Sequence, residues 1–142
     1  PLARFRADPT IDLVISANCL SQLALLPVER AKKAGDLVRI RFPDLGRRIV
    51  EGQLEALRRF PARVCLLTDS EGLDIGPTGE VLDRYDLLEG VRLPAADDDW
   101  DWTLAPLGEA SPDHAVVHRA HGFVDLHATE ARAARMPPPP TA

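Results

Sequence analysis

Cysteine, aromatic residues and positive charge are all in short supply in this chain, and each shortage narrows what it can do. Two cysteines, Cys19 and Cys65, stand among 142 residues, and aromatic residues make up 5%. Neither cysteine belongs to a C-x-x-C pair, and no histidine cluster lies near either one in sequence. That argues against a metal site. Each cysteine sits in or at the edge of an apolar run, so buried free thiols are expected, and a reducing, cytoplasmic location fits. Lysine and arginine number 17 against 22 acidic residues, a net charge of −5. The arginines are scattered, so no nucleic-acid groove is expected. No apolar run reaches the roughly 18 residues of a membrane span, and no basic-then-apolar leader is read. A soluble chain without membrane association is the expectation.

What the chain does have is a 45% hydrophobic content, enough for one domain with a real core. The segment 10–27, "TIDLVISANCLSQLALLP", opens with the β-branched run Ile11 to Ser16. Such a run with little alternation suits a central strand of a parallel α/β sheet, covered on both faces. Leu20 to Leu26 reads as a short helix that Pro27 ends or kinks. Val28 to Ala34 continues it, with Gly35 as the C-cap candidate.

Residues 44–60, "DLGRRIVEGQLEALRRF", carry Ile49, Val50, Leu54 and Leu57 as an apolar stripe at helical spacing. Asp44 is the N-cap candidate. The charged residues opposite, with Glu51, Glu55 and Arg59 at i,i+4 spacing, read as a solvated face. Val64 to Thr68 is a second buried strand, which makes a strand–helix–strand unit with a right-handed crossover. Residues 69–80, "DSEGLDIGPTGE", read as turns, and Val81 to Glu89 as a short helix.

Past "LPAADDD" the pattern changes. Trp100 to Ala105 and Ala115 to Val124 alternate, and "PLGEASPDH" between them is too short for a helical crossover. They are expected to pair as an antiparallel hairpin. Trp100 and Trp102 share a face, with packing of the hairpin on a helix as the default reading. The acidic run before them reads as a solvated turn, since it lacks calcium-loop spacing. From Glu130 the chain is Ala/Arg-rich and then Pro137 to Pro140, a stretch that cannot build a core and is expected to be disordered. The domain expectation is therefore 1–129, followed by a tail over 130–142.

Two central strands joined by a helix, then a terminal antiparallel hairpin, resemble the second half of a class I S-adenosylmethionine-dependent methyltransferase. That fold is Rossmann-like, with helices on the sheet faces. "IDLVISANCLSQL", "RVCLLTDSEG", "WDWTLAP" and "HAVVHRAHGFV" stand where the family has strands 4 to 7. The resemblance covers roughly residues 1–127 and rests on the order of the motifs. The family's Gly-rich turn and its ribose and adenine contacts belong to the first half and have no counterpart here. Gly72, Gly76 and Gly79 are differently spaced and follow the second strand. The resemblance therefore implies a fragment of such an enzyme, acting on a small-molecule or unknown acceptor. It also implies weak or absent S-adenosylmethionine binding by this chain alone. The alternative is a non-catalytic module of the same fold, pairing with a missing N-terminal segment or with itself. A different doubly wound domain, such as a nucleotide-binding one, is made less fitting by the hairpin.

Ligands of open parallel sheets sit beyond the carboxyl ends of the strands. That rule selects Ser16-Ala17-Asn18-Cys19 at the first exit and Asp69-Ser70-Glu71 at the second, with Asp69 as a carboxylate that could orient an acceptor or act as a general base. By the resemblance, Ser16 and Asn18 would contact the cofactor. Asn18, Cys19 and Asp69 would face the acceptor. The competing reading has Ser16 or Asn18 capping the next helix and Asp69 closing a turn. His118 and His121 are three apart and so face opposite sides of a strand, a spacing that builds no metal site. With His114 they read as edge or surface positions.

Overall fold

A computed structural model describes residues 3–35 and 41–135, and its architecture follows from one unusually long strand. That strand, β2, runs from Arg63 to Ile75. Its first part pairs in parallel with β1 (Leu13–Ala17), in register Leu13 with Arg63 through Ala17 with Leu67. Its distal part pairs antiparallel with β3 (Val81–Asp86) on that same flank. Its other flank pairs antiparallel with β5 (Ala115–Phe123), which in turn pairs with β4 (Asp98–Ala105). The result is a mixed, open five-stranded sheet in the order β1-β2-β5-β4, with β3 beside β2. The protein is thus α/β, with one parallel pair and an antiparallel majority.

The connection from β1 to β2 is helical. It comprises α2 (Cys19–Gln22), α3 (Leu25–Lys33) and α4 (Leu45–Arg58), and a short α1 (Ala3–Arg6) precedes β1. Pro27 falls in the first turn of α3, where the missing N–H has no intrahelical partner to lose. The break in helix therefore comes before the proline, at residues 23–24, and not at it. In α4 the expected stripe is the buried face, with Val50, Leu54 and Leu57 inside and Ile49 packed at the margin. The charged side carries the pairs Arg47–Glu51 at 2.8 Å and Arg59–Glu55 at 2.9 Å. Exposed pairs of this kind contribute little each.

The core lies on one side of the sheet. Val64, Leu66 and Phe123 meet Leu20, Val50, Leu54, Leu57 and Leu88, together with Leu126 of α5 (Leu126–Ala133). Strand alternation sends the intervening residues to the opposite face. There Leu13 and Ile15 are exposed, and Ile15 retains 63% of its accessible area. The expectation of helices on both faces is thus met on one face among the described residues, and β1 has a partner on one flank.

Three further expectations are overturned. Residues 69–75 are not turns, because β2 continues through them, and only 76–80 form a loop. Gly76 N–H donates to the Glu80 carbonyl at 2.8 Å, and Gly79 takes φ 88°, the left-handed conformation that glycine adopts without strain. Val81 to Asp86 is strand, not helix, because the distal part of β2 offers it a ladder that a helix would leave empty. Trp100 and Trp102 do not pack on a helix. They lie on the open face at 38% and 37% exposure, and the bare surface of Gly122 makes room for the Trp100 ring.

The stretch read as tail begins inside α5. Glu130 accepts from Arg58 Nε at 2.8 Å and Nη2 at 2.6 Å, tying α5 to α4. Residues 136–142, including the proline run, lie outside the described residues.

Asp97 staples the start of β4 to the end of β5 and to α5. Its carboxylate accepts from Val124 N–H at 2.8 Å, from Thr129 Oγ1 at 3.3 Å and from Arg132. The Val124 N–H first, then Arg132, hold its pKa below the ordinary carboxylate range. A depressed folded pKa gives stability that is fully present above the unfolded value, about 3.9, and is lost as pH falls through the folded value. Asp97→Asn is therefore expected to cost about 1–2 kcal/mol at pH 7 in urea titrations. The gap to the parent should close progressively below about pH 4. A gap as wide at pH 2.5 as at pH 7 would contradict the assignment.

Candidate functional site

Polar groups gather in a band across the sheet just past the carboxyl end of β1. The parallel ladder ends where Asn18 N–H donates to the Leu67 carbonyl at 2.9 Å. Asn18 takes φ 53°, ψ 10° and leads directly into α2. Asparagine tolerates this left-handed conformation better than most residues, which accounts for its place at a sharp strand-to-helix corner. Its side chain makes no capping bond. Ser16 Oγ, behind it, is buried and has no hydrogen-bond partner, and the same holds for Ser21 Oγ in α2. The capping role weighed for Ser16 and Asn18 is therefore not the one they take.

On β2 the band continues as Thr68, Asp69 and Ser70. The ladder to β5 slips between Asp69 and Glu71, a bulge that leaves Ser70 as the extra residue. Bulges re-aim side chains, and here neighbouring residues join two separate groups on the two faces. Asp69 points to the open face and is only 3% exposed. Its Oδ2 lies 3.0 Å from His118 Nδ1, and its Oδ1 is buried without a partner. The edge of the Tyr85 ring meets His118 with centroids 6.4 Å apart. Tyr85 can lie there because Gly72 has no Cβ to obstruct its ring. Burial first, then Asp74 and Asp83, raise the Tyr85 pKa above that of a free phenol.

Ser70 joins the helix-bearing face. Its Oγ lies 2.6 Å from His121 Nε2, and His121 Nδ1 bonds Asp99 Oδ1 on β4. The cross-strand register sets this up, since His121 stands opposite Thr68 on one side and Asp99 on the other. His118 and His121 do face opposite sides, as their spacing predicts. Each is paired to an aspartate rather than standing free at an edge.

The residues predicted for the site are only partly brought together. Ser16 and Asn18 are neighbours at the β1 exit, and Asp69 is two residues past the Leu67 carbonyl that Asn18 bonds. Yet Ser16 points towards the helices and Asp69 away from them, so they do not share one wall. Cys19 is exposed and Cys65 is half-buried, which corrects the expectation of two buried thiols. Asp69 is neither a turn residue nor free, because it lies within a strand and is held by His118. The sequence reading missed the Asp69–His118 and Ser70–His121–Asp99 groups. Their members are separated by 49, 51 and 22 positions, so only the strand register could have revealed them.

Two open depressions, of about 570 Å³ and 370 Å³, lie at the other end of β2, where both include Arg63. The first is walled by Arg6, Asp8, Asp12 and Pro61 among others, and the second by Asp97, Asp125 and Arg132. Neither reaches the polar band. No described helix is long and apolar enough to cross a membrane.

Asp69, itself buried, supplies the acceptor for the half-buried His118 Nδ1. Asp69→Ala should therefore destabilise the fold by about 1–3 kcal/mol, the cost of stranding that donor. In a double-mutant cycle with His118→Ala the two losses should fall short of additivity by about 1 kcal/mol. Strict additivity in urea melts would mean that the pair is not coupled.

Comparison of the chain with protein-family models, with curated proteins and with solved structures returned no match to any of them.

Proposed function

We propose that the chain forms the acceptor-side part of an S-adenosylmethionine-dependent methyltransferase-like domain, with the donor-side residues supplied from outside this sequence. The observation that carries the reading is the order of its elements around the β1 exit. A parallel strand pair joined through helices is followed by an antiparallel β4–β5 hairpin laid against β2. Asn18 turns the chain at the end where open α/β sheets take ligands. The unpartnered hydroxyl of Ser16, buried at 5% exposure, adds support. A buried polar atom without a partner costs free energy, and a ligand group would relieve that cost. Methyl transfer from an activated sulfonium asks mainly for positioning, which is compatible with a strand exit as the working part. Ser16 and Asn18 are proposed to contact the cofactor. Asn18 and Cys19 are proposed to face a small-molecule acceptor, whereas Asp69, on the opposite face of the sheet and held by His118, stands outside that wall.

A second reading has its own observation. Leu13, Ile15, Trp100 and Trp102 leave the sheet face opposite the helices apolar and exposed, and β1 has a free flank among the described residues. Unpaired strand edges and apolar sheet faces are adhesive. This favours a non-catalytic assembly module that pairs with another segment or with itself. Sedimentation of the purified chain separates this reading from the first. A monomer at 100 µM or above would count against self-association, whereas a salt-resistant dimer would support it.

The methyltransferase reading is tested on the protein translated from the whole reading frame. Calorimetric titration should show S-adenosylmethionine binding that Ser16→Ala and Asn18→Ala each weaken about tenfold, or about 1.4 kcal/mol. Absence of heat at millimolar cofactor, in protein shown to be folded, would overturn it. Ser16→Ala should at the same time raise folding stability by about 1 kcal/mol, since it removes a buried hydroxyl that bonds nothing. A loss of stability would mean that the hydroxyl has a partner within the fold.

A further inference from the structure

We infer that Ser70 is an activated nucleophile, with His121 as its general base and Asp99 as the group that orients the base, and that this site takes acyl esters. The inference does not rest on the methyl-transfer reading, because it uses other residues and a different reaction.

The geometry carries the assignment. Ser70 Oγ stands 2.6 Å from His121 Nε2, within reach for proton transfer. His121 Nδ1 bonds Asp99 Oδ1 on the opposite side of the ring. With the Nδ1 proton given to Asp99, Nε2 keeps its lone pair and accepts the Ser70 hydroxyl. One tautomer therefore satisfies both bonds, and it is the tautomer a serine nucleophile needs. Such constellations are recognised by geometry and roles, not by order in the chain. The three residues come from three adjacent strands, so the sheet itself fixes their spacing.

The bulge supplies the second requirement. Ser70 is the residue left out of the β2–β5 pairing, and its carbonyl accepts instead from Leu87 N–H at 2.9 Å. A regular ladder would alternate Thr68 and Ser70 on one face at fixed height. The slip re-aims the hydroxyl at the imidazole. Ser70 and His121 are half-buried and Asp99 is exposed at the rim. Other polar pairs on this sheet are of a different kind. Asp69–His118 on the opposite face has no side-chain hydroxyl bonded to it among the described residues, and Arg119–Asp101 and Arg84–Glu71 are ordinary ion pairs.

The reaction balances with water as the only co-reactant. Ser70 Oγ attacks the ester carbonyl carbon and forms a C–O bond, while its proton passes to His121 Nε2. The tetrahedral adduct collapses, the bond to the alcohol oxygen breaks, and the departing oxygen takes the proton from Nε2. Water, deprotonated by the same nitrogen, then attacks the acyl-serine carbonyl carbon; the bond from that carbon to Ser70 Oγ breaks, Oγ takes the proton back from Nε2, and the acid is released. Ester and water become acid and alcohol, and the three side chains return to their starting state.

The test is covalent labelling of the full chain with a fluorophosphonate, read by intact and peptide mass spectrometry. Attack forms a Ser70 O–P bond and expels fluoride, so the adduct should map to Ser70 and vanish in Ser70→Ala. His121→Gln should slow labelling at least 100-fold, the lower range of general-base effects, and Asp99→Asn should slow it at least tenfold. p-Nitrophenyl acetate hydrolysis should fall in the same order. Circular dichroism of each variant checks that the fold persists, and His118→Gln serves as the histidine control that labels at the parental rate. Absence of a Ser70 adduct in folded parent protein would overturn the inference. So would labelling that His121→Gln leaves unchanged, or labelling that His118→Gln slows as much as His121→Gln does.

Discussion

The ladder made by β2 is the constraint on which the rest depends. Thirteen residues of one strand hold a parallel partner, two antiparallel partners and the inner wall of the core. Backbone groups buried in a sheet must be paired, so each neighbour of β2 is in effect dictated by what β2 leaves open. β1 satisfies the flank of residues 63–67, and beyond Ala17 that flank passes to β3. The chain can leave β1 at Asn18 because the ladder is handed over there. The strand-to-helix corner and the start of the β2–β3 hairpin are thus two consequences of one change of partner, while the bulge at Ser70 lies on the opposite flank, in the ladder to β5.

Polar residues sit deep in β2 just past its pairing with β1. Strand alternation sends Asp69 and Ser70 to opposite faces, where Asp69 meets His118 and Ser70 meets His121, and the slip in the β2–β5 ladder falls between Asp69 and Glu71. Hydrogen bonds between strands hold this region, and it includes buried oxygens that bond nothing within the fold. Such atoms are costly, and their concentration at one level of the sheet distinguishes this level from the Arg63 end, where the open depressions lie. The methyltransferase-like proposal and the Ser70 proposal draw on the same level but on different atoms.

What could be read from the sequence was whatever repeats with a period. The stripe Val50, Leu54, Leu57 predicts α4, and the apolar runs at 11–16 and 64–68 predict the parallel pair. The short link between Trp100 to Ala105 and Ala115 to Val124 predicts the hairpin. Composition misled where pairing overrode it. Residues 69–75 contain two aspartates, a glutamate and a glycine, yet Leu73 and Ile75 are two apart, a period-2 signal that the turn-forming residues masked. Val81 to Asp86 has almost no buried face, so nothing in its pattern marks a strand, and its conformation is set by β2. The tryptophans went astray for a related reason. Their shared face is legible, but which side of the sheet the helices cover is not. The histidine pairings were beyond reach, because they depend on a one-residue slip that sequence spacing does not encode.

The most direct test of this account is the set of cross-strand nuclear Overhauser effects in the isotope-labelled chain. Backbone contacts are expected from Glu71 to Asp86 and Leu73 to Arg84 on one flank of β2, and from Thr68 to His121 on the other, with the slip at Ser70 visible as Glu71 facing Arg119. Helical sequential contacts across residues 81–86, or an unbroken register through Ser70, would contradict it.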